Sequence, residues 1–268
     1  MFPRYMFSDK RVVIPTLFLL FCGGAEFACL AAFYLLEAEN IFSTDVFYIA
    51  RLIIPFGFSF LIGIAAVGWS IDLTRGLIRE PFILASALMT AGAGAMVAVT
   101  PFTPSLSTAL SFIGGLGIGG VYIPAIVVLT IVAPDDLIGS IAGLGLAIRG
   151  IGNQVGYTLF YNLFFDKLSN VLPTTVGGAV AKAGLPITEI VPFVTNLVAK
   201  NLTAIAEMKG ITPAILEAAQ GAVAESYVQG LQPVFYASIA FGGAAVLCCL
   251  AMPTVRKYMT DRVVLEIQ

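Results

Sequence analysis

In 268 residues the sequence has 59% hydrophobic side chains, 11% charged ones, a formal net charge of −2 and no histidine. A soluble domain devotes about a quarter of its residues to charge, so this balance and a mean hydropathy of +0.96 point to a membrane protein. Without histidine there are no histidine proton relays, histidine metal ligands or histidine-based nucleophile dyads, and the slight acidity gives nucleic acid no basic face.

A bilayer core needs about 20 apolar residues per helix. Apolar runs of that kind predict an all-α membrane protein, a six-transmembrane-helix bundle. The first span is Val12–Leu36. It is too long for a signal-peptide core and reads as an anchor that stays. Its mid-span acid, Glu26, is a proton-site candidate, because a carboxyl at membrane depth can carry a proton. The competing role is a partner for a cation or hydroxyl elsewhere in the bundle. Cys22 and Cys29 lie in this span, and Cys248 and Cys249 in the last. All four read as small apolar residues.

The second span is Thr44–Ile71. Arg51 lies near its outer end, one turn after Tyr48. It either snorkels outward or turns inward to favour anions and oxygen-rich solutes. After the span come Gly68, Asp72 and Arg75, a candidate cytoplasmic latch, since an Asp at a helix end can pair with a cation or cap a neighbour. The third span is Pro81–Val99 and the fourth Leu106–Ala133. The fourth holds Gly114, Gly115, Gly117, Gly119 and Gly120, then Tyr122 and Pro124. Glycine in a membrane helix marks close backbone approach, with Gly115 and Gly119 as packing candidates. Pro124 predicts a kink.

The fifth span, Leu137–Phe165, carries Arg149 near its middle. A charge there costs at least about 2.5–3.5 kcal/mol, so it faces protein or a watery cavity. Gly145, Gly152 and Gly156 fall within about 40° on a helix and predict a packing stripe, helped by the small-residue pairs Gly139/Gly143 and Gly152/Gly156. Beside it, at steps of four, run Arg149, Asn153, Tyr157 and Tyr161. Arg149, Asn153 and Tyr157 are therefore substrate-cavity candidates, with Arg51 behind them. The alternative is an arginine satisfied by carbonyls or acids of neighbouring helices.

Residues 166–232 read as a long extracytoplasmic loop with two short helices on the outer face. Val191, Val194, Leu197, Val198, Leu202 and Ile205 recur at helical spacing, and Thr212-Pro213 has the form of an N-cap with proline at the first helical position. Asn201-Leu202-Thr203 is a glycosylation sequon. The last span is Pro233–Met252. If the chain alternates sides, Arg4, Lys10, Arg11, Arg75, Arg79, Arg256, Lys257 and Arg262 share one side, while Glu37, Glu39 and Asp45 mark the first opposite connection. The positive-inside rule then makes both termini cytoplasmic. The expected organisation is a cytoplasmic segment 1–11, five spans within 12–165, the loop 166–232, the sixth span 233–252 and a cytoplasmic tail 253–268.

Several of these stretches together resemble the C-terminal part of a fungal major facilitator superfamily transporter of the trichothecene efflux and siderophore transporter group. The residues are Pro134-Asp135-Asp136-Leu137-Ile138, Gly143-Leu144, Ala147-Ile148-Arg149, Gly152 with Gly156-Tyr157, Tyr161-Asn162-Leu163-Phe164, Ala183-Gly184-Leu185-Pro186 and the tail from Met252 to Val263. Gly68 and Asp72 also keep the spacing that opens the conserved loop of that superfamily, without its basic residue right after the Asp.

The resemblance implies the C-terminal half of a major facilitator fold: half of a proton-coupled efflux carrier for a toxin, drug-like metabolite or siderophore. Its expected partners are the lipid bilayer, a small-molecule substrate, protons, and a missing N-terminal six- or eight-helix bundle or a second chain. The expected location is the plasma membrane or another cellular membrane. No enzyme activity, cofactor, metal or nucleic acid is expected. The rival function is a truncated, non-transporting membrane protein that associates with full-length carriers through its glycine faces.

Overall fold

The computed structural model of the chain describes Phe7, residues 9–198, Met208 and residues 211–258. The Asn201 sequon and the cations Arg4 and Arg262 lie outside the described residues. Helix α1 runs Lys10–Phe42, with π-helical turns at Cys29–Phe33 and Ala38–Phe42. It is followed by α2 (Val46–Leu73), α3 (Arg79–Ala95, ending in a 3-10 turn at Met96–Ala98) and α4 (Pro104–Tyr122). Then come α5 (Pro124–Val132), α6 (Ile138–Lys182), α7 (Ile187–Val198) and α8 (Pro213–Leu250). No strand occurs among the described residues.

Five stretches are long and apolar enough to cross a membrane: Lys10–Phe42, Val46–Leu73, Arg79–Ala98, Pro104–Val132 and Pro213–Leu250. The remaining expected span lies in α6. It has ample length, but Arg149, Asn153 and Gln154 interrupt its apolar run. It packs along α1 and α8 as part of the same bundle.

The outer boundaries fall elsewhere than the sequence reading placed them. Helix α6 does not stop at Phe165, and the last helix starts at Pro213, twenty residues before Pro233. Much of the expected loop is thus the two membrane helices carried onward, with α7 as the short helix between them. Pro173 and Pro233 sit inside helices without ending them. The residues from Ala214 to Ala224 are rich in alanine, a strong helix former. Val176 and Val180 of α6, Phe193 of α7, and Ile215 and Ala219 of α8 close into a small apolar core of their own. Thr212 does cap α8, accepting the Ile215 backbone N–H at 3.4 Å.

Helix α1 is the centre of the bundle. It packs on α6 and α8, and on α4 and α5. Helix α2 lies on α4 at one edge, and α3 bridges α4 to α8. Leu19, Leu20 and Phe33 of α1 meet Phe82 and Met89 of α3, Ile118 of α4 and Phe235 of α8 in the main core. Outward, α2 shows Phe47, Phe58, Leu61, Trp69 and Leu73 exposed. So much large apolar surface on one helix suits a hydrocarbon surrounding. The free cysteines Cys22, Cys29 and Cys249 are buried.

Glycines let the helices touch backbone to backbone. A side chain at Gly152 would meet the Phe21 carbonyl, one at Gly156 would meet Ala25, and one at Gly24 the backbone of Arg149 and Asn153. The same device joins α2 to α4, where Gly119 faces the Phe60 carbonyl, Gly115 faces Ser59, and Gly63 faces Leu116 and Gly120. Gly145 packs against side chains of Leu129 and Leu20. The expected pair Gly139/Gly143 is different: both are exposed and nothing lies where their side chains would go. These two glycines lie on the outward side of α6, whose other side packs Ile141 into the main core.

Candidate functional site

These close contacts decide where four side chains end up. Gly24, Gly152 and Gly156 lay α6 flat on α1, and Gly63 and Gly119 lay α2 flat on α4. The kink expected at Pro124 interrupts the helix at Ile123: α4 ends at Tyr122 and α5 begins at Pro124, because proline has no N–H for the ladder. On the resulting face the Arg149 guanidinium lies 4.0 Å above the centre of the Tyr122 ring. Phe27 of α1 lies 5.0 Å from that ring, Phe60 of α2 lies 5.5 Å from it, and the two phenylalanines are 6.0 Å apart. Four helices thus each give one residue to a single cluster.

All four are half-buried, so the cluster is open on one side. Among the described residues Arg149 makes no ion pair, and its Nη1 is buried without a hydrogen-bond partner. Its charge rests on a ring face, an interaction of about 0.5–2 kcal/mol, and not on an acid. The alternative of an arginine satisfied by neighbouring carbonyls or acids finds no contact to support it among the described residues. Chemically, the face presents an unquenched donor above an aromatic floor.

The other cavity candidates divide. Asn153 is half-buried one turn from Arg149, its backbone N–H against Gly24. Tyr157 is 43% exposed and begins a stacked row, 6.1 Å from Tyr161, which is 6.0 Å from Phe165. Arg51 is exposed and lines a groove of about 530 Å³ with Asp45, Tyr48 and Pro55. That groove does not include Arg149.

Glu26 is fully buried, and neither carboxyl oxygen has a hydrogen-bond partner. Its surroundings are Cys22 and Cys29 on its own helix and the Gly242 backbone of α8. A second acid escaped the sequence reading. Glu37, placed there in a connection, continues α1 and is 1% exposed. Its Oε1 accepts from Ser107 Oγ of α4 at 2.6 Å, while Oε2 has no partner. Nearby, Tyr34 donates to the Leu52 carbonyl at 2.7 Å. Two signals were available: no glycine or proline interrupts the run from Phe33 to Glu39, and Ser107 and Ser111 put hydroxyls one turn apart on the facing helix.

At the far end of the bundle, Asp72 and Arg75 are exposed and make no ion pair among the described residues. Arg75 takes a left-handed φ of 50° to turn the chain after α2. The contacts that close this end lie beside the Gly68–Arg75 segment. Thr254 Oγ1 and the Val255 N–H both donate to the Gly76 carbonyl at 3.0 Å. Lys257 Nζ lies 2.7 Å from Asp9 Oδ2, which also accepts from Tyr258 OH at 2.9 Å. The Lys257 hydrogen bond holds the Asp9 carboxyl below its ordinary 3.8, against a smaller opposing effect of burial. Asp9, the 254–258 segment and the α2–α3 turn therefore meet on one face.

Comparison with known proteins places the chain among relatives named as transporters. The chain is 21% identical to the trichothecene efflux pump TRI12 of Fusarium sporotrichioides over 98% of its own length and 44% of that protein. It is 24% identical to the TRI12 pump of Trichoderma arundinaceum over 90% of its length and 41% of that protein. It is 26% identical to the MFS-type transporter prx5 of Penicillium rubens over 61% of its length and 29% of that protein. The chain thus spans less than half the length of these relatives. Residues 1–268 match the fungal trichothecene efflux pump (TRI12) family throughout, and this multi-pass membrane chain belongs to it.

Proposed function

We propose that the chain is the C-terminal, six-helix half of a secondary active efflux carrier that works by alternating access with a second bundle. The observation that carries this reading is the Arg149–Tyr122–Phe27–Phe60 cluster: four helices converge on one half-open face. Transporters of this build place the solute at the interface between two bundles near mid-membrane and rock around it. The solute class is a toxin, drug-like metabolite or siderophore. Such a solute sets an acceptor oxygen on Arg149 and Asn153 and a flat apolar body on the rings, with Tyr157 at the rim. Arg51 guides solutes toward the outer end.

Glu26 is the proposed proton carrier. It sits on the same helix as Phe27 yet faces inward, so protonation there acts on how α1 packs and not on the solute directly. Gly68, Asp72 and Arg75 are the proposed latch to the second bundle: Asp72 and Arg75 remain exposed and unpaired among the described residues. The termini are proposed to be cytoplasmic, since Lys10, Arg11, Arg75, Arg79, Arg256 and Lys257 flank the segments that meet at the Asp9–Lys257 contact. The rival reading, docking on full-length carriers through glycine faces, loses ground because Gly115, Gly119, Gly152 and Gly156 are already used inside the bundle.

The test is efflux of a fluorescent drug-like solute from cells that make the chain together with the first half of a related carrier. Active efflux that Arg149→Ala abolishes at unchanged surface level supports the proposal. Equal efflux in the variant removes Arg149 from the cavity.

A further inference from the structure

A second recess lies far from the Arg149 cluster. Helices α2 and α3 are consecutive but barely touch, because α2 leans on α4. Between them runs a groove of about 590 Å³, walled by Ala66 and Ser70 of α2 and by Leu84 and Leu88 of α3, with Leu116 of α4 as its floor. Its few hydroxyls are spent on their own helix: Ser70 Oγ donates to the Val67 carbonyl at 2.8 Å, and Thr74 Oγ1 to the Ser70 carbonyl at 2.7 Å. The walls therefore offer hydrocarbon and no free donors. From Gly63 to Thr74 the groove follows α2 for roughly 16 Å at 1.5 Å per residue, about half of a 30 Å bilayer core. That is the depth of one leaflet.

Charge is confined to one end, the end where Thr254 and Val255 meet Gly76. Arg75 follows the lining residue Thr74, Arg79 precedes the lining residue Glu80, and both arginines are exposed. Glu80 itself lines the groove. Trp69, 69% exposed, stands beside Ser70, and tryptophan favours the headgroup level. An apolar slot one leaflet deep, with a carboxylate in its lining and two exposed arginines each next in the chain to a lining residue, matches a molecule with acyl chains, a phosphate and an ammonium.

We infer that this groove is a binding site for a glycerophospholipid whose headgroup carries a primary amine, such as phosphatidylethanolamine. One acyl chain lies between α2 and α3. The phosphate meets Arg75 and Arg79, and the ammonium donates to Glu80. Phosphatidylcholine keeps the phosphate but has no N–H to donate. Phosphatidylglycerol keeps the phosphate but has no ammonium.

The experiment is native mass spectrometry of the purified chain in detergent with the three lipids at equal concentration and with identical acyl chains. Phosphatidylethanolamine is expected to be retained roughly two- to fivefold over each of the others, the range of an exposed ion pair. Glu80→Gln is expected to bring the three to parity. Arg75→Gln with Arg79→Gln is expected to weaken all three. Ala66→Phe, which fills the groove, is expected to lower total retention. Equal retention of the three lipids by the unaltered chain overturns the inference, as does a preference that survives Glu80→Gln. A photoreactive lipid should label Ala66→Cys in native membranes. A crosslink from that cysteine to a second copy or to another protein would instead make the groove a protein interface. None of these readouts depends on transport, so this inference and the carrier reading fail separately.

Discussion

The guanidinium of Arg149 and the ring of Tyr122, on different helices, are 4.0 Å apart, and nothing else in the described chain pairs with that charge. Tyr122→Phe keeps a π face beneath the cation and should retain most Arg149-dependent efflux. Tyr122→Leu removes the face and should lose it. A double-mutant cycle with Arg149→Gln is expected to give a coupling of about 0.5–2 kcal/mol. Zero coupling in solute affinity shows that the ring does not hold the arginine.

The crossings of α1 with α6 and of α2 with α4 leave no room for a side chain. Gly152→Leu and Gly119→Leu should each cost several kcal/mol, above the usual 1–3 kcal/mol of overpacking, because the obstacle is backbone. Gly139→Ala and Gly143→Ala, in open space, should be neutral. Thermal unfolding followed by size-exclusion chromatography separates the two pairs. A stable, monodisperse Gly152→Leu would contradict the crossing.

Ser107 donates to a carboxyl that is 1% exposed. Ser107→Ala should destabilise by about 1–3 kcal/mol, because it leaves a second Glu37 oxygen without a donor. Glu37→Gln keeps an acceptor for Ser107 and should cost less. If Ser107→Ala melts at the parent temperature in detergent, the bond contributes nothing.

The staple between Asp9 and Lys257 has a defined pH window. Asp9 titrates below 3.8 in the folded chain, so its contribution is full above 3.8 and fades as pH falls through the lower folded value. Lys257 titrates above 10.5, so its contribution is full below 10.5 and fades as pH rises through the higher folded value. The tail should stay docked from roughly pH 4 to 10 and loosen in high salt. Distances between spin labels at Phe7 and Lys257-adjacent Arg256 would report release. Asp9→Asn should release the tail at neutral pH, and an unchanged distance there would deny the staple its role.

Much of the architecture was legible because the bilayer imposes a length. Runs of about 20 apolar residues mark the helices, and 100° geometry separates the glycine stripe of α6 from its polar one. The Thr212 cap was legible for a local reason: a hydroxyl and a proline at fixed spacing. What escaped depends on distant partners. Tyr122 becomes a cation platform only after Gly152 seats α6 on α1, which itself packs on α4. Glu37 looked like a connection because acids cluster there, yet Ser107, seventy residues away, takes it into the interior. The outer extents of α6 and α8 were hidden because Pro173 and Pro233 resemble stops, and only packing against α7 shows that they are not.

That outer three-helix knot has a mechanical meaning. Helices α6 and α8 pack along one another in the bundle and are bound again farther along through Val176, Phe193 and Ile215. Two rods fixed to each other at both heights cannot slide independently. Any tilt that swings Arg149 must drag α8 along, so the pair moves as one stiff lever with its handle at the second core.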